Sequence, residues 1–201
     1  FQTSIGYGHG ALMSKERPGI AINVPDLEDY EKSILPEMAG RLGIEATEIT
    51  PIVSTVFPNF SPFYGRATIR VWHPRGPDKT EIWAWCLVDK AALDDVKDRV
   101  RKHYIWTFGP GGSAEEDDME NWQYCTVSSA GPAIKRYPLN YQLALRSQWH
   151  DEVYSGSLSI MTSEHDARGF YDCWSELMSG KSWLEVAEAL SKKEMSLGKK
   201  S

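Results

Sequence analysis

Between Ala67 and Val88 the chain carries the pattern that most narrows its fold. Ala67-Thr68-Ile69-Arg70-Val71-Trp72-His73 alternates, and Pro74 to Lys79 forms a loop rich in Pro and Gly. Thr80 to Val88 then returns with Ile82, Ala84, Cys86 and Val88 opposing Trp83, Trp85 and Leu87. Successive side chains on a strand point to opposite faces, so two such runs joined by a short turn form an antiparallel hairpin. Apolar residues occupy both faces of the second run, which is therefore expected to be largely buried on both sides.

The rest of the chain agrees with an antiparallel sheet and added helices. Residues 1–13 alternate weakly around Gly6, Gly8 and Gly10, and Gly19 to Val24 reads as a strand stopped by Pro25. Leu27, Tyr30, Ile34, Met38 and Leu42 recur at helical spacing up to Gly43, with Pro36 able to kink or divide that helix. Residues 48–57 read as a strand that ends in the turn-rich stretch Phe57 to Pro62. Asp89 is placed to cap a helix with the stripe Leu93, Val96, Val100 and Tyr104, and a second helix is expected over about Ser113–Thr126. Residues 131–160 are turn-rich, and amphipathic stretches at about 167–179 and 182–195 close the chain. Strands early, helices late and hairpin connections predict an α+β fold, with helices on one face of the sheet.

A length of 201 residues, 41% of them hydrophobic, suits one domain with a core of its own. The formal charge of −6, with basic residues interspersed among acids, lacks the footprint of a nucleic-acid binder. Cys86, Cys125 and Cys173 form no CxxC or CxH pair and read as reduced packing residues of a cytoplasmic protein. No apolar run reaches the ~18 residues of a membrane span, and the first residues do not resemble a signal peptide. The start at Phe1 rather than methionine suggests a fragment. Eight tryptophans, nine tyrosines and six phenylalanines could line an apolar ligand site or simply pack a core.

One acid stands apart. Glu115-Glu116-Asp117-Asp118-Met119-Glu120 suits a helix start, where the helix dipole favours negative charge. At ~100° per residue, however, Asp118 falls within about 40° of Ala114, Trp122 and Cys125, on an apolar stripe. A carboxylate facing a core needs a cation, a strong hydrogen-bond partner or a proton. Periodicity leaves three readings open: a metal ligand, a capping or buried hydrogen-bonded acid, and an exposed acid. A facial-triad iron site would need two histidines beside it. His9, His73, His103, His150 and His165 are widely separated, and His73 and His103 have ordinary structural readings, the latter as a cation near a helix end. His150-Asp151 is a weak candidate for an acid/base pair.

Longer motifs carry a resemblance. Thr107-Phe108-Gly109-Pro110-Gly111-Gly112 followed by Glu116-Asp117-Asp118-Met119-Glu120-Asn121-Trp122 resembles the signature of Rieske non-haem iron aromatic ring-hydroxylating dioxygenases, in their large subunit. Val56 to Ser61, Ile69 to Pro77, Glu81 to Trp85 and Leu87 to Lys90 resemble that family in the same order. Tyr7 to Gly10 and Arg168 to Tyr171 extend the likeness over nearly the whole chain.

The resemblance implies a helix-grip (START-like) catalytic domain that encloses a mononuclear non-haem Fe(II) and an aromatic substrate, with Asp118 as the iron carboxylate. It implies substrate-pocket positions at Leu12, Val53, Phe63, Phe108 and Ala114. The two iron histidines and the domain holding a Rieske [2Fe-2S] cluster are expected upstream of the segment matching Phe1, so residues 1–201 read as the carboxyl-terminal part of the catalytic domain, inactive alone. For the complete enzyme it implies electrons from NADH through a reductase and ferredoxin, and addition of both atoms of O2 to give a cis-dihydrodiol. A trimer of large subunits, with or without small ones, is the implied assembly. Some relatives carry a bulky aromatic where Ala114 stands, so a polycyclic or biaryl hydrocarbon is the expected substrate. The rivals are a helix-grip module binding an apolar ligand without metal, and a hydrolase built on His150.

Overall fold

A computed structural model describes residues 1–14, 25–43, 47, 50–154 and 156–198. Seven strands are β1 (Gln2–Gly6), β2 (His9–Ser14), β3 (Thr50–Thr55), β4 (Phe60–Phe63), β5 (Thr68–Gly76), β6 (Lys79–Cys86) and β7 (Ser157–Ser159). The helices used below are α1 (Pro25–Leu42), α2 (Asp94–Phe108), α3 (Glu115–Ser129), α4 (His165–Met178) and α5 (Trp183–Gly198). The strands follow the order β6-β5-β4-β3-β2-β1-β7 in one sheet. This is the expected α+β arrangement of an antiparallel sheet flanked by helices. The strand expected over Gly19 to Val24 lies outside the described residues.

The chain divides into two compact units. The first comprises residues 1–14, 51–62 and the described part of 141–198. Here β1 and β2 turn through Tyr7 and Gly8, both at positive φ (52° and 78°), the backbone that suits a tight hairpin between twisted strands. Their register pairs Gln2 with Leu12 and Thr3 with Ala11, and shifts between Ser4 and Gly6. Gly10 and Ser4 approach α4 so closely that an added Cβ on Gly10 would meet the Asp166 Cβ at 2.8 Å. The core of this unit is Phe57, Cys173 and Val186, ringed by Phe170, Leu177 and Leu190. α5 begins in a capping box: the Ser182 backbone N–H donates to Glu185 Oε2 at 2.8 Å and the Glu185 N–H donates to Ser182 Oγ at 3.4 Å.

The second unit holds α1, the β5–β6 hairpin, α2 and α3. Its hairpin runs from the pair Thr68–Cys86 to Gly76–Lys79, so β5 continues through residues expected to form the loop. Its core gathers Leu27, Ala67 and Val100, with Cys86 and Val96 against them. Two-sided burial of β6 does not hold: Trp83, Trp85, Leu87 and Val88 are all exposed. β6 is the last strand in the order and has a hydrogen-bonded neighbour on one side only. Asp89 does not cap α2. Its Oδ1 accepts the Ala91 N–H at 2.8 Å, a local turn that precedes the helix start at Asp94 and leaves Leu93 exposed.

Candidate metal centre

The segment with the sequence signature folds as a loop doubled back on the end of α2. Ser113 N–H donates to Trp106 O at 2.9 Å, and Ala114 N–H to Thr107 O at 3.2 Å. Gly112 is required by space, since a Cβ there would stand 2.7 Å from the carbonyl oxygens of Thr107 and Gly109. Gly111 N–H donates to Glu116 Oε1 at 2.5 Å, which ties the loop to the first turn of α3.

That first turn carries Glu115, Glu116, Asp117 and Asp118, acids that the positive end of the helix dipole favours. Glu115 is the buried residue of α3. Its Oε2 accepts a hydrogen bond from Arg70 Nη2 at 2.6 Å, and both side chains are below one-tenth exposed. Arg70 also covers the Phe108 ring, with Cζ 4.5 Å from its centroid. Phe108 in turn lies 6.1 Å, ring to ring, from Phe63.

Asp118 is exposed, which corrects the expected apolar stripe. Trp122 is more than one-third exposed and Cys125 is exposed, so Cys125 is not a packing residue either. The physical reason is that α3 is held at its first residue by Arg70 and through Trp122 by Trp72, rather than along a continuous apolar face. Asp118 has no hydrogen-bond or ion-pair partner among the described residues, so the reading as a buried, hydrogen-bonded acid is overturned.

Of the positions expected to line a pocket, Phe63 and Phe108 come together, and Ala114, six residues after Phe108, sits at the N-cap of α3. Leu12 and Val53 are half-buried on β2 and β3 of the first unit, with Leu12 on the strand face that Gly10 presents to α4.

The histidines have partners of their own. His9 Nδ1 accepts the Phe57 N–H at 3.0 Å, and the His73 ring lies 4.8 Å from that of Trp83. His103 is buried, with Nε2 3.3 Å from Arg66 Nη1. Burial first, and the Arg66 charge second, hold its pKa below the usual histidine value, which favours the neutral ring over the expected cation at a helix end. His165 is likewise pushed down by burial, beside Ser157. His150 faces Gly156 O at 3.2 Å while Asp151 accepts from Val153 N–H, so the two form no acid/base pair. Among the described residues no group of three or more His, Cys, Asp or Glu side chains could hold a metal. Asp118 thus offers a free carboxylate, an oxygen donor of the kind hard cations take, and among the described residues no complete metal ligand set stands beside it.

Arg70 and Glu115 were not legible as site residues in the sequence. Glu115 looked like one more solvated acid, and only the alternation placing Arg70 between Thr68 and Trp72 on one strand face hinted at a buried cation.

No helix among the described residues is long and apolar enough to cross a membrane. Residues 12–180 match the family described as ring hydroxylating alpha subunit (catalytic domain). The chain is 42% identical over 186 residues to the biphenyl dioxygenase subunit alpha of Metapseudomonas furukawaii, covering 89% of the chain and 41% of that protein. It is 35% identical over 186 residues to the chlorobenzene dioxygenase subunit alpha of Cupriavidus sp. (strain PS12), covering 90% of the chain and 41% of that protein. A solved structure of naphthalene 1,2-dioxygenase with indole bound in the active site aligns with a TM-score of 0.82 at 26% identity, over 100% of this chain and 46% of the other. The chain thus spans 41% of the length of these curated relatives. The ordered motifs, the fold and the match over residues 12–180 converge, and the chain belongs to the family of ring-hydroxylating dioxygenase alpha subunits, within their catalytic domain.

Proposed function

We propose that this chain supplies the substrate-facing and carboxylate-bearing part of an aromatic ring-hydroxylating dioxygenase, which adds both atoms of O2 to one face of an aromatic ring to give a cis-dihydrodiol. The observation that carries the reading is Asp118: an uncommitted carboxylate in the first turn of α3, directly after the Phe108 to Gly112 loop. A mononuclear non-haem Fe(II), when bound, would supply the chemistry of oxygen activation, and Asp118 would hold it through its carboxylate. The two histidines that complete the ligand set come from residues other than those described, so dihydroxylation is expected of a complete subunit and not of this stretch alone.

The chain's own residues would shape and dry the site. Phe108 and Phe63 offer an aromatic wall, and Ala114 withholds bulk at the helix entrance, which favours a biaryl or polycyclic hydrocarbon over a single ring. Relatives named for biphenyl and chlorobenzene support the aromatic substrate class. In the complete enzyme a Rieske [2Fe-2S] cluster would supply the electrons, drawn from NADH through a reductase and ferredoxin, and the subunits would assemble as trimers in the cytoplasm. Turnover of biphenyl by the complete subunit with its redox partners under isotopically labelled dioxygen tests the reading. A diol carrying two labelled oxygens is expected, and a product carrying one or none contradicts it.

A further inference from the structure

Arg70 and Glu115 are 8% and 7% exposed in their side chains and pair at 2.6 Å. Arg70 Nε is buried with no hydrogen-bond partner among the described residues. As a source of stability this is a poor arrangement. Removing two charges from water costs about as much as their attraction returns, and an orphaned N–H adds to the cost.

What the pair does settle is orientation. Arg70 and Trp72 share one face of β5 and meet Glu115 and Trp122 of α3. At ~100° per residue, Glu115 and Trp122 lie within about 20° of each other around the helix. Asp118 stands about 60° from the first and about 40° from the second. Two anchors seven residues apart on one stripe fix the rotation of α3, and with it the direction in which Asp118 leaves the helix. The same guanidinium lies on the Phe108 ring.

We propose that Arg70 is a positioning residue that aims Asp118 through Glu115 and sets the Phe108 wall by direct stacking, so that one buried cation couples the metal ligand to the substrate wall. This rests on the function proposed above. An apolar pair at these positions would keep the packing and lose the aim, because two flexible thioethers fix neither a helix rotation nor a ring plane.

The test uses the complete, iron-loaded subunit carrying Arg70→Met together with Glu115→Met, which removes both charges and strands neither. Thermal melting reports the fold, the rate at which a chelator strips ferrous iron reports Asp118, and the ratio of regioisomeric diols from an unsymmetrical chlorobiphenyl reports Phe108. The expected result is near-native melting, iron stripped roughly tenfold faster or more, and a changed regioisomer ratio. Native stripping and a native ratio in the folded double variant, with Asp118→Ala losing its iron, would overturn the positioning role alone. Iron retained in Asp118→Ala would overturn the ligand reading and this proposal with it. Should the double variant not fold, Arg70→Lys keeps the charge and loses the guanidinium contact over Phe108. It is expected to change the regioisomer ratio with little effect on stripping, and an unchanged ratio overturns the proposal.

Discussion

Trp72 on β5 meets Trp122 on α3 edge to face, with ring centroids 5.2 Å apart and planes at 76°. Aromatic pairs in this geometry are worth about 0.5–1.5 kcal/mol beyond the area they bury. With Arg70–Glu115 at the start of the helix, this contact forms the second point at which β5 holds α3. Trp122→Ala is expected to destabilise the protein by roughly 1–3 kcal/mol, read by denaturant unfolding. A midpoint unchanged from that of the parent would mean that α3 is held by something else.

The Tyr30 hydroxyl donates to Asp89 Oδ2 at 2.6 Å, joining α1 to the turn before α2. Burial first, and this hydrogen bond to a carboxylate second, push the Tyr30 pKa up from 10.0 to about 12. A folded pKa above the unfolded one means that folding favours the protonated phenol. The contribution is complete below about pH 10 and is lost as pH rises from about 10 to about 12. Asp89→Ala should bring the Tyr30 titration back toward the ordinary tyrosine value, followed by phenolate absorbance. An unmoved titration would show that Asp89 has no part in the shift.

His103 gives the opposite dependence. Burial and then Arg66 lower its pKa, so the folded state prefers the neutral ring. Its contribution is present above the unfolded value of 6.5 and is lost as pH falls below it toward the lowered folded value. Arg66→Met should raise the His103 pKa in an NMR titration while leaving it below 6.5, because burial remains the larger cause. A pKa that does not rise would remove Arg66 from the account.

Much of the fold could be read from periodicity, and the exceptions have specific causes. The β5–β6 hairpin, α1 with its stop at Gly43 and the two closing helices follow from local pattern, since each carries its signal within a few residues. The burial of β6 was misread because alternation tells which side chains share a face and not what covers that face. Four-residue β4 was hidden in a turn-rich stretch, where Val56 and Phe60 exchange two hydrogen bonds around Phe57. At the site, the motif order pointed to Asp118 and Phe108, both on one short loop-helix segment. Arg70 and Glu115 are 45 residues apart, and no local pattern pairs a strand arginine with one acid among four.

Ala114 is half-buried at the N-cap of α3, between the loop that ends α2 and the turn bearing Asp118. In the complete subunit, Ala114→Trp should exclude large rings or shift the position of attack, seen as a changed diol profile from biphenyl and from a polycyclic substrate. Identical profiles would place Ala114 outside the pocket and leave it a residue that allows close approach.

The proposed function stands on Asp118 as an iron ligand. Asp118→Ala in the complete subunit, assayed for total iron and for the visible absorbance of the Rieske cluster, tests it most directly. Loss of the mononuclear iron and of dihydroxylation with the Rieske absorbance intact is expected, and a variant that keeps its full iron content and turnover overturns the ligand assignment.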